Sequence, residues 1–567
     1  MFKRGTLHGV RLSLVTAILI MARYGFSTGG GPMRTVLDGL IVVSAVVFTV
    51  GLFLPHRGLS LRRRLVVDPW IAVFTTLAAA ALAALAVSGG TATPGAIVVT
   101  LTIYSALVSF RIILAGLGSW VVRTFPPGAI LPVTLGLVVL AGSVLLLLPE
   151  ATTGGISVID SMFTATSATC VTGLVVRDTG GDFTFFGQAV ILLMIQVGGL
   201  GLMTFVAFFA LFLGQNISLR ESLSMTRMID SEFVSDLKKV LAAIIGWTLT
   251  IEAAGAFILY STWSHLRPTW TFLETLWQSI FHSVSAFCNA GFSLNTANLA
   301  DFAGSPATCF TVGTLIVLGG LGFAVLTSIG AVTIHRIRTG RKAALPVHTR
   351  LVLLVTGILI AGTFAFFLAS EWNNSLQGMD LGEKIANSYL EAVTPRTAGF
   401  NTVDTAGLLP AVRWLFIALM FIGASPGGTG GGVKTSTIGL LFVEVVSLFR
   451  RRRLPEMWKH HIPYFDVQRA SVVFFLGAAV LAGSSMLLLA VEGGGGHSPM
   501  DYLFEAASAF GTVGLSTGVT GDLGTTGRII IILTMFLGRT GPASLAAATG
   551  RSRPLRYRYP EARITIG

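Results

Sequence analysis

Apolar runs of about 20 residues recur along this chain, separated by short polar or glycine-bearing turns. A helix rises 1.5 Å per residue, so such a run crosses a hydrocarbon core of about 30 Å. The pattern predicts spans near 9–24, 37–54, 69–87, 96–117, 129–148, 187–213, 239–260, 309–335, 350–369, 411–449, 468–490 and 528–549. Basic clusters lie between or after them: "HRGLSLRRR" at 56–64, "RIRTGRKAALPVHTR" at 336–350, "RRRR" at 450–453 and "RSRPLRYRYPEAR" at 551–563. A mixed-charge loop ending in "DLKK" occupies 213–239. With a cytoplasmic N-terminus all five fall on one side, as the positive-inside bias expects.

Composition agrees with a membrane chain: 53% hydrophobic and 11% charged residues, against about 25% charged in soluble domains. The net charge of +13 would suit nucleic acid, but its juxtamembrane placement argues for topology instead. The first apolar run lacks a small-residue cleavage site and more spans follow, so no processed signal peptide is expected. Cys170, Cys288 and Cys309 are too few and too apolar in setting for a disulfide framework. No HExxH occurs, and histidines are scattered apart from His460–His461, so no enzyme chemistry is expected.

Four shorter stretches remain: "SVIDSMFTATSATCVTGLVV", "TLWQSIFHSVSAFCNAGFSL", "IANSYLEAVTPRTAGFNTV" and "DYLFEAASAFGTVGLSTGV". Each is a half-helix followed by a glycine-centred extended piece, too short to span. Aligned on Gly173, Gly291, Gly399 and Gly514, they are separated by 118, 108 and 115 residues. Ala168, Ala286, Thr394 and Ala509 lie five residues before these glycines, and Leu174, Phe292, Phe400 and Leu515 one after. The unit is span, re-entrant half-helix, glycine loop, span, four times over. Non-helical backbone at membrane depth is tolerated where it is buried in protein or lines a watery cavity. Four such segments on one axis would present rings of carbonyls able to replace the hydration shell of potassium. A single one would read as a tight turn; four in register favour the ring.

On these motifs the chain resembles the Trk/Ktr/HKT potassium-transporter superfamily, most closely the KtrB-type membrane subunit. The carrying residues are "TSATCVTGLVV", "AFCNAGFSL", "TPRTAGFNTVD", "AFGTVGLSTG", "GGTGGGVKTST", "FLGRTGP" and "YRYPEARITIG", covering about 126–567. The resemblance implies an all-α integral membrane protein with four membrane–pore-loop–membrane repeats around a central pore. Their expected boundaries are 126–238, 239–345, 346–465 and 466–567, after an N-terminal extension of about four helices over 1–125. It also implies potassium uptake at the plasma (inner) membrane, a homodimer, cytoplasmic termini, and a cytoplasmic nucleotide-binding regulatory subunit of KtrA/TrkA type. No tightly bound cofactor is expected; potassium is the substrate and sodium a coupling or activating ion. An ion-coupled secondary transporter for another monovalent cation is the alternative. Two departures stand out: the extra 125 residues, and Cys170 where Thr or an aliphatic residue is expected.

The filter carbonyls are assigned to Cys170, Val171, Thr172 and Gly173; Cys288, Asn289, Ala290 and Gly291; Arg396, Thr397, Ala398 and Gly399; and Gly511, Thr512, Val513 and Gly514. Serine at the first glycine marks sodium-permeable plant relatives, so Gly173 favours potassium. Asp178, Asp301, Asp404 and Asp522, downstream of the glycines, either concentrate cations at the mouth or serve as caps and turn residues. Arg396 is expected to be neutralised by Glu391 or Glu505. Glu252, in the middle of an apolar span, is a functional candidate or a buried residue with a polar partner. The break "GGTGGGVKTST" lies roughly one span below the third filter. It lacks the Gly-Lys-Ser/Thr of a phosphate-binding loop, and the resemblance makes it an intramembrane gate: Gly427, Gly428, Thr429, Gly430, Gly431 and Gly432, with Lys434 and Arg539. The two cations either raise a Coulomb barrier to passing ions or cap carbonyls freed by broken helices. The arginine- and tyrosine-bearing tail is expected to dock the regulatory subunit, other basic residues to meet anionic lipid, and no nucleic acid is expected.

Overall fold

The computed structural model describes residues 124–125, 127–201, 237–340, 344–451, 454–494 and 496–541, with parts of 13–44. Most of the 1–125 extension, the loop 213–239 and the tail 551–567 lie outside the described residues. The regular elements among the described residues are helices apart from a small hairpin, in which β1 (Glu456–Met457) pairs antiparallel with β2 (His460–His461).

Three helical pieces recur four times. The first set is α1 (Pro127–Leu146), α2 (Val158–Cys170) and α3 (Phe185–Gly199). The second is α4 (Leu237–Leu266), α5 (Phe272–Phe287) and the pair α6 (Pro306–Leu321) and α7 (Phe323–Thr339). The third is α8 (Val347–Ser370), α9 (Leu381–Val393) and the pair α10 (Pro410–Phe421) and α11 (Thr435–Phe449). The last is α12 (Tyr464–Glu492), α13 (Pro499–Gly511) and α14 (Thr525–Thr540).

The members of each set differ in kind. Among the described residues, α1, α4, α8 and α12 hold the single helical segments long and apolar enough to cross a membrane. The short helices α2, α5, α9 and α13 begin with side-chain caps. Ser157 accepts the Asp160 amide at 3.1 Å. Thr271 with Glu274, and Ser498 with Asp501, satisfy each other's orphan amides reciprocally, and Glu383 accepts the Asp380 amide at 3.0 Å. Such caps fix where the chain re-enters as helix.

The third members are interrupted. The expected continuous span 309–335 bends by 96° between α6 and α7, at Gly322 with φ +88. The expected span 187–213 leaves helix after Gly199. At 15 residues, α3 reaches about 23 Å, short of a bilayer core. Close approach explains the glycines there: a Cβ on Gly198, Gly319 or Gly538 would strike the carbonyl of Thr169, Phe287 or Phe510, each at the C-terminal end of a short helix. The doublets in "VGGLG" and "LGGLG" carried this signal in the sequence.

Four apolar cores bind the repeats, and each straddles two of them. Val171, Ile191, Phe281 and Phe292 join the first and second; Trp263, Ile316, Leu390 and Phe400 the second and third. Phe416, Met420, Phe504 and Leu515 join the third and fourth. Phe163, Leu174, Tyr502 and Ile531 close the fourth onto the first. The residue after each marker glycine (Leu174, Phe292, Phe400, Leu515) is therefore a buried peg in the core shared with the preceding repeat. Burying such a side chain contributes about 1.5–3 kcal/mol.

Candidate functional site

The chain leaves each short helix into an extended segment through a left-handed residue. Val171, Asn289, Thr397 and Thr512 have φ of 59, 59, 84 and 50, and two residues later Gly173, Gly291, Gly399 and Gly514 have φ of 91, 69, 72 and 96. Three of the non-glycine residues are β-branched, for which this conformation is strained at roughly 1–3 kcal/mol each. Local hydrogen bonds hold the strain. The amides of Thr172, Ala290 and Val513 donate to Ser167, Ser285 and Ser508 carbonyls, and that of Ala398 to Thr394. Ser167 and Ser508 hydroxyls accept the amides of Gly173 at 3.1 Å and Gly514 at 3.0 Å.

The four glycines meet in a closed ring. A Cβ on Gly173 would strike the carbonyl of Ala290, one on Gly291 that of Ala398, one on Gly399 that of Val513, and one on Gly514 that of Thr172. Each such Cβ would lie 3.0 Å from the α-carbon of the next glycine. The order runs first to second, third, fourth and back to first. No side chain fits between neighbours at this level.

Above the ring opens a cavity of about 720 Å³, lined by residues including Gly173, Gly291, Gly514, Asp178, Asn298 and Asp404. Its acids are held by local contacts. Asp178 accepts from Thr296 Oγ1 at 2.5 Å and from the Gly180 amide at 3.1 Å, and Asp404 accepts the Ala406 amide at 3.0 Å. Asp301 and Asp522 do not line the cavity; they pair with Arg267 at 3.2 Å and with His497 at 3.1 Å. Asn298, which the sequence did not single out, donates to the carbonyl of Gly399 at 3.1 Å.

Below the ring lies the glycine-rich break between α10 and α11. Its ends are clipped together where the Gly423 amide donates to Val433 at 2.9 Å and the Val433 amide to Phe421 at 3.1 Å. Its middle rests on the break of the second repeat: Ser425 donates to Gly320 at 3.0 Å, and Phe323 to Gly427 at 3.1 Å. Arg539, from α14, donates to the carbonyls of Thr429 and Gly198. Lys434 Nζ donates to Gly430 at 2.5 Å. Both cations thus cap carbonyls released by interrupted helices.

Cys170, Cys288 and Arg396, which open three of the extended segments, have buried side chains. Cys288 has its sulfur 3.8 Å from Glu252 and 3.7 Å from Gln196. Gln196 holds both carboxylate oxygens of Glu252, at 3.1 and 3.2 Å, so Glu252 is a buried residue with polar partners. Arg396 differs from expectation. Glu391 accepts from the Thr402 amide at 2.9 Å, and Glu505 accepts from Ser516 and Thr520. Both acids are satisfied by their own loops, and Arg396 reaches Thr356 Oγ1 at 3.4 Å instead.

A set of polar contacts secures neighbouring repeats at the outer ends of the short helices. Arg528 of α14 bonds Asp160 of α2, which Arg177 also meets at 3.3 Å. Arg413 of α10 bonds Asp501 of α13 at 3.2 Å. At the other two boundaries the contacts are neutral: Trp277 to Gln188 at 2.9 Å and Asn387 to the Ala303 carbonyl at 2.8 Å. Arg413 and Arg528 each follow their marker glycine by 14 residues, a register that could have exposed the pairs in the sequence.

Residues 137–551 match the TrkH family of cation transport proteins. The chain is 34% identical over 452 residues to Ktr system potassium uptake protein B of Bacillus subtilis, covering 78% of this chain and 97% of that one. To the protein of the same name from Vibrio alginolyticus it is 35% identical, covering 76% and 92%. To the potassium/sodium uptake protein NtpJ of Enterococcus hirae it is 34% identical, covering 76% and 95%. The crystal structure of the potassium transporter TrkH from Vibrio parahaemolyticus aligns with a TM-score of 0.61 at 16% identity, covering 96% of this chain and 98% of that one. That last likeness is one of fold.

Proposed function

We propose that this chain, which belongs to the TrkH family of cation transport proteins, takes up potassium through the four-glycine ring and is gated by the loop beneath it. The observation that carries the reading is the closed order of the ring, in which each glycine abuts the carbonyl before the next. Packed so closely, the backbone of residues 170–173, 288–291, 396–399 and 511–514 supplies the carbonyl oxygens that replace the ion's water. The short helices aim their C-termini at the same place. Each carries about half a negative elementary charge there, which favours a cation without any acidic side chain. Relatives named for potassium uptake support the choice of ion, and the potassium/sodium relative supports sodium as a second ion.

The loop Gly427–Gly432 closes the path under the ring, with Lys434 and Arg539 holding it through its carbonyls. The chain functions in the plasma membrane as a homodimer, termini on the cytoplasmic side with the basic clusters. A cytoplasmic nucleotide-binding subunit, the second part implied by the relatives' description as a Ktr system, sets the loop's position. Expression in a bacterium lacking its own potassium uptake should restore growth at low potassium. Deletion of Gly428–Gly432 should raise flux several-fold in protein that inserts normally. A shortened protein that inserts and carries less than the parent would show that the loop is needed for conduction, and the gate reading would fail.

A further inference from the structure

The contact between the ring and the loop is direct. The Gly431 amide donates to Thr512 Oγ1 at 2.8 Å, and Thr512 is the left-handed residue two before Gly514. A Cβ on Gly431 would lie 2.7 Å from that oxygen and 2.8 Å from the Thr512 methyl, and one on Gly430 would strike Thr397 Oγ1. Thr397 in turn donates to the side-chain oxygen of Asn289 at 3.1 Å, while the Asn289 amide donates to Ala286 and Ile316 carbonyls. Three of the four left-handed residues are thus linked to the loop or to one another beneath the ring. Val171 offers no polar atom for such a link. Thr512, Thr397 and Asn289 are fully buried, so these bonds are not shared with bulk water.

We propose that Thr512 is a positioning residue that latches the loop to the ring, so that loop displacement and ion discrimination are one coupled event. The inference rests on the reading of the loop as a gate. With the loop seated, Gly431 N–H is satisfied and the Thr512 side chain is fixed, which steadies the strained backbone leading to Gly514. With the loop displaced, the hydroxyl loses its partner and the fourth segment of the ring loses its support from below. An unsatisfied buried amide is costly, so weakening this bond shifts the balance towards the displaced loop.

The test measures potassium flux and potassium-over-sodium preference of the full chain in proteoliposomes. Thr512→Val keeps the shape and removes the acceptor; basal flux should rise about tenfold, the scale expected for one buried unsatisfied donor, and the preference should fall with it, whereas raised flux at parental preference would overturn the coupling. Thr512→Ser should restore parental flux. Gly431→Ala, which pushes on the same contact from the loop side at a residue without positive φ, should also raise flux, so the proposal does not hang on one variant folding. In protein lacking Gly428–Gly432, Thr512→Val should add nothing to flux, because the latch has no loop to hold. Equal effects of Thr512→Val with and without the loop would mean that the residue acts on the ring alone and would overturn the latch. So would unchanged flux in both Thr512→Val and Gly431→Ala while the deletion raises it. Failure of the deletion itself to raise flux would sink the gate reading and the latch with it, and that outcome is visible in the deletion alone.

Discussion

Gly173→Ser should leave an inserted protein whose preference for potassium over sodium has fallen by roughly tenfold, a change of about 1.4 kcal/mol between the two ions. The backbone at Gly173 has φ +91, where a side chain costs about 1–3 kcal/mol. The new Cβ would meet the Ala290 carbonyl and the Gly291 α-carbon. Both are backbone atoms that cannot rotate aside, so the ring must widen or tilt between the first and second repeats. A ring altered by a few tenths of an ångström still binds cations but no longer at the oxygen spacing suited to one of them. Competitive uptake of the two ions in proteoliposomes reads the effect. Gly362→Ser on α8, where an added Cβ meets nothing within 4 Å, is the matched control and should leave preference intact. Parental preference in Gly173→Ser would remove the ring from any role in discrimination.

The second large effect is on stability. The first and fourth repeats are joined by no covalent connection, and the Arg528–Asp160 pair lies across their boundary with the Asp160 side chain 4% exposed. Arg528→Gln leaves that carboxylate to Arg177, whose own side chain is 45% exposed and correspondingly weak as a partner. Breaking a buried pair from one side costs about 3–5 kcal/mol, mostly through the stranded charge; the partial exposure of Arg528, 23%, places the expected loss at the lower end, about 3 kcal/mol. The thermal midpoint in detergent should drop. Asp160→Asn combined with Arg528→Gln should be less harmful than Arg528→Gln alone, because no charge is left behind. If the double variant is the worse of the two, the pair is not what fastens this boundary.

Much of this molecule is written in local pattern. Spans show as runs of apolar residues, and α2, α5, α9 and α13 show as half-length runs introduced by Ser, Thr or Asp caps. The fourfold repeat shows because the same short unit must solve the same packing problem four times. Gly173, Gly291, Gly399 and Gly514 could therefore be aligned without a structure, and so could the pegs that follow them.

Other features depend on where separate stretches of the chain meet in the fold, which no run of hydropathy displays. Arg396 looked as though it needed an acid, yet Glu391 and Glu505 are already engaged by their own loops, a matter of where the chain turns back. Hydropathy passed over the breaks at Gly199 and Gly322, since it does not distinguish a glycine that loosens a helix from one that lets another backbone approach; only the glycine doublets beside them marked the place. In the loop below the ring, sequence alone determined that a helix would be interrupted, because six glycines among the ten residues from Gly423 to Gly432 cannot sustain one. Only the tertiary structure decided why Gly430 and Gly431 must be glycine: Thr397 and Thr512, brought in from two other segments, occupy the space where their side chains would be.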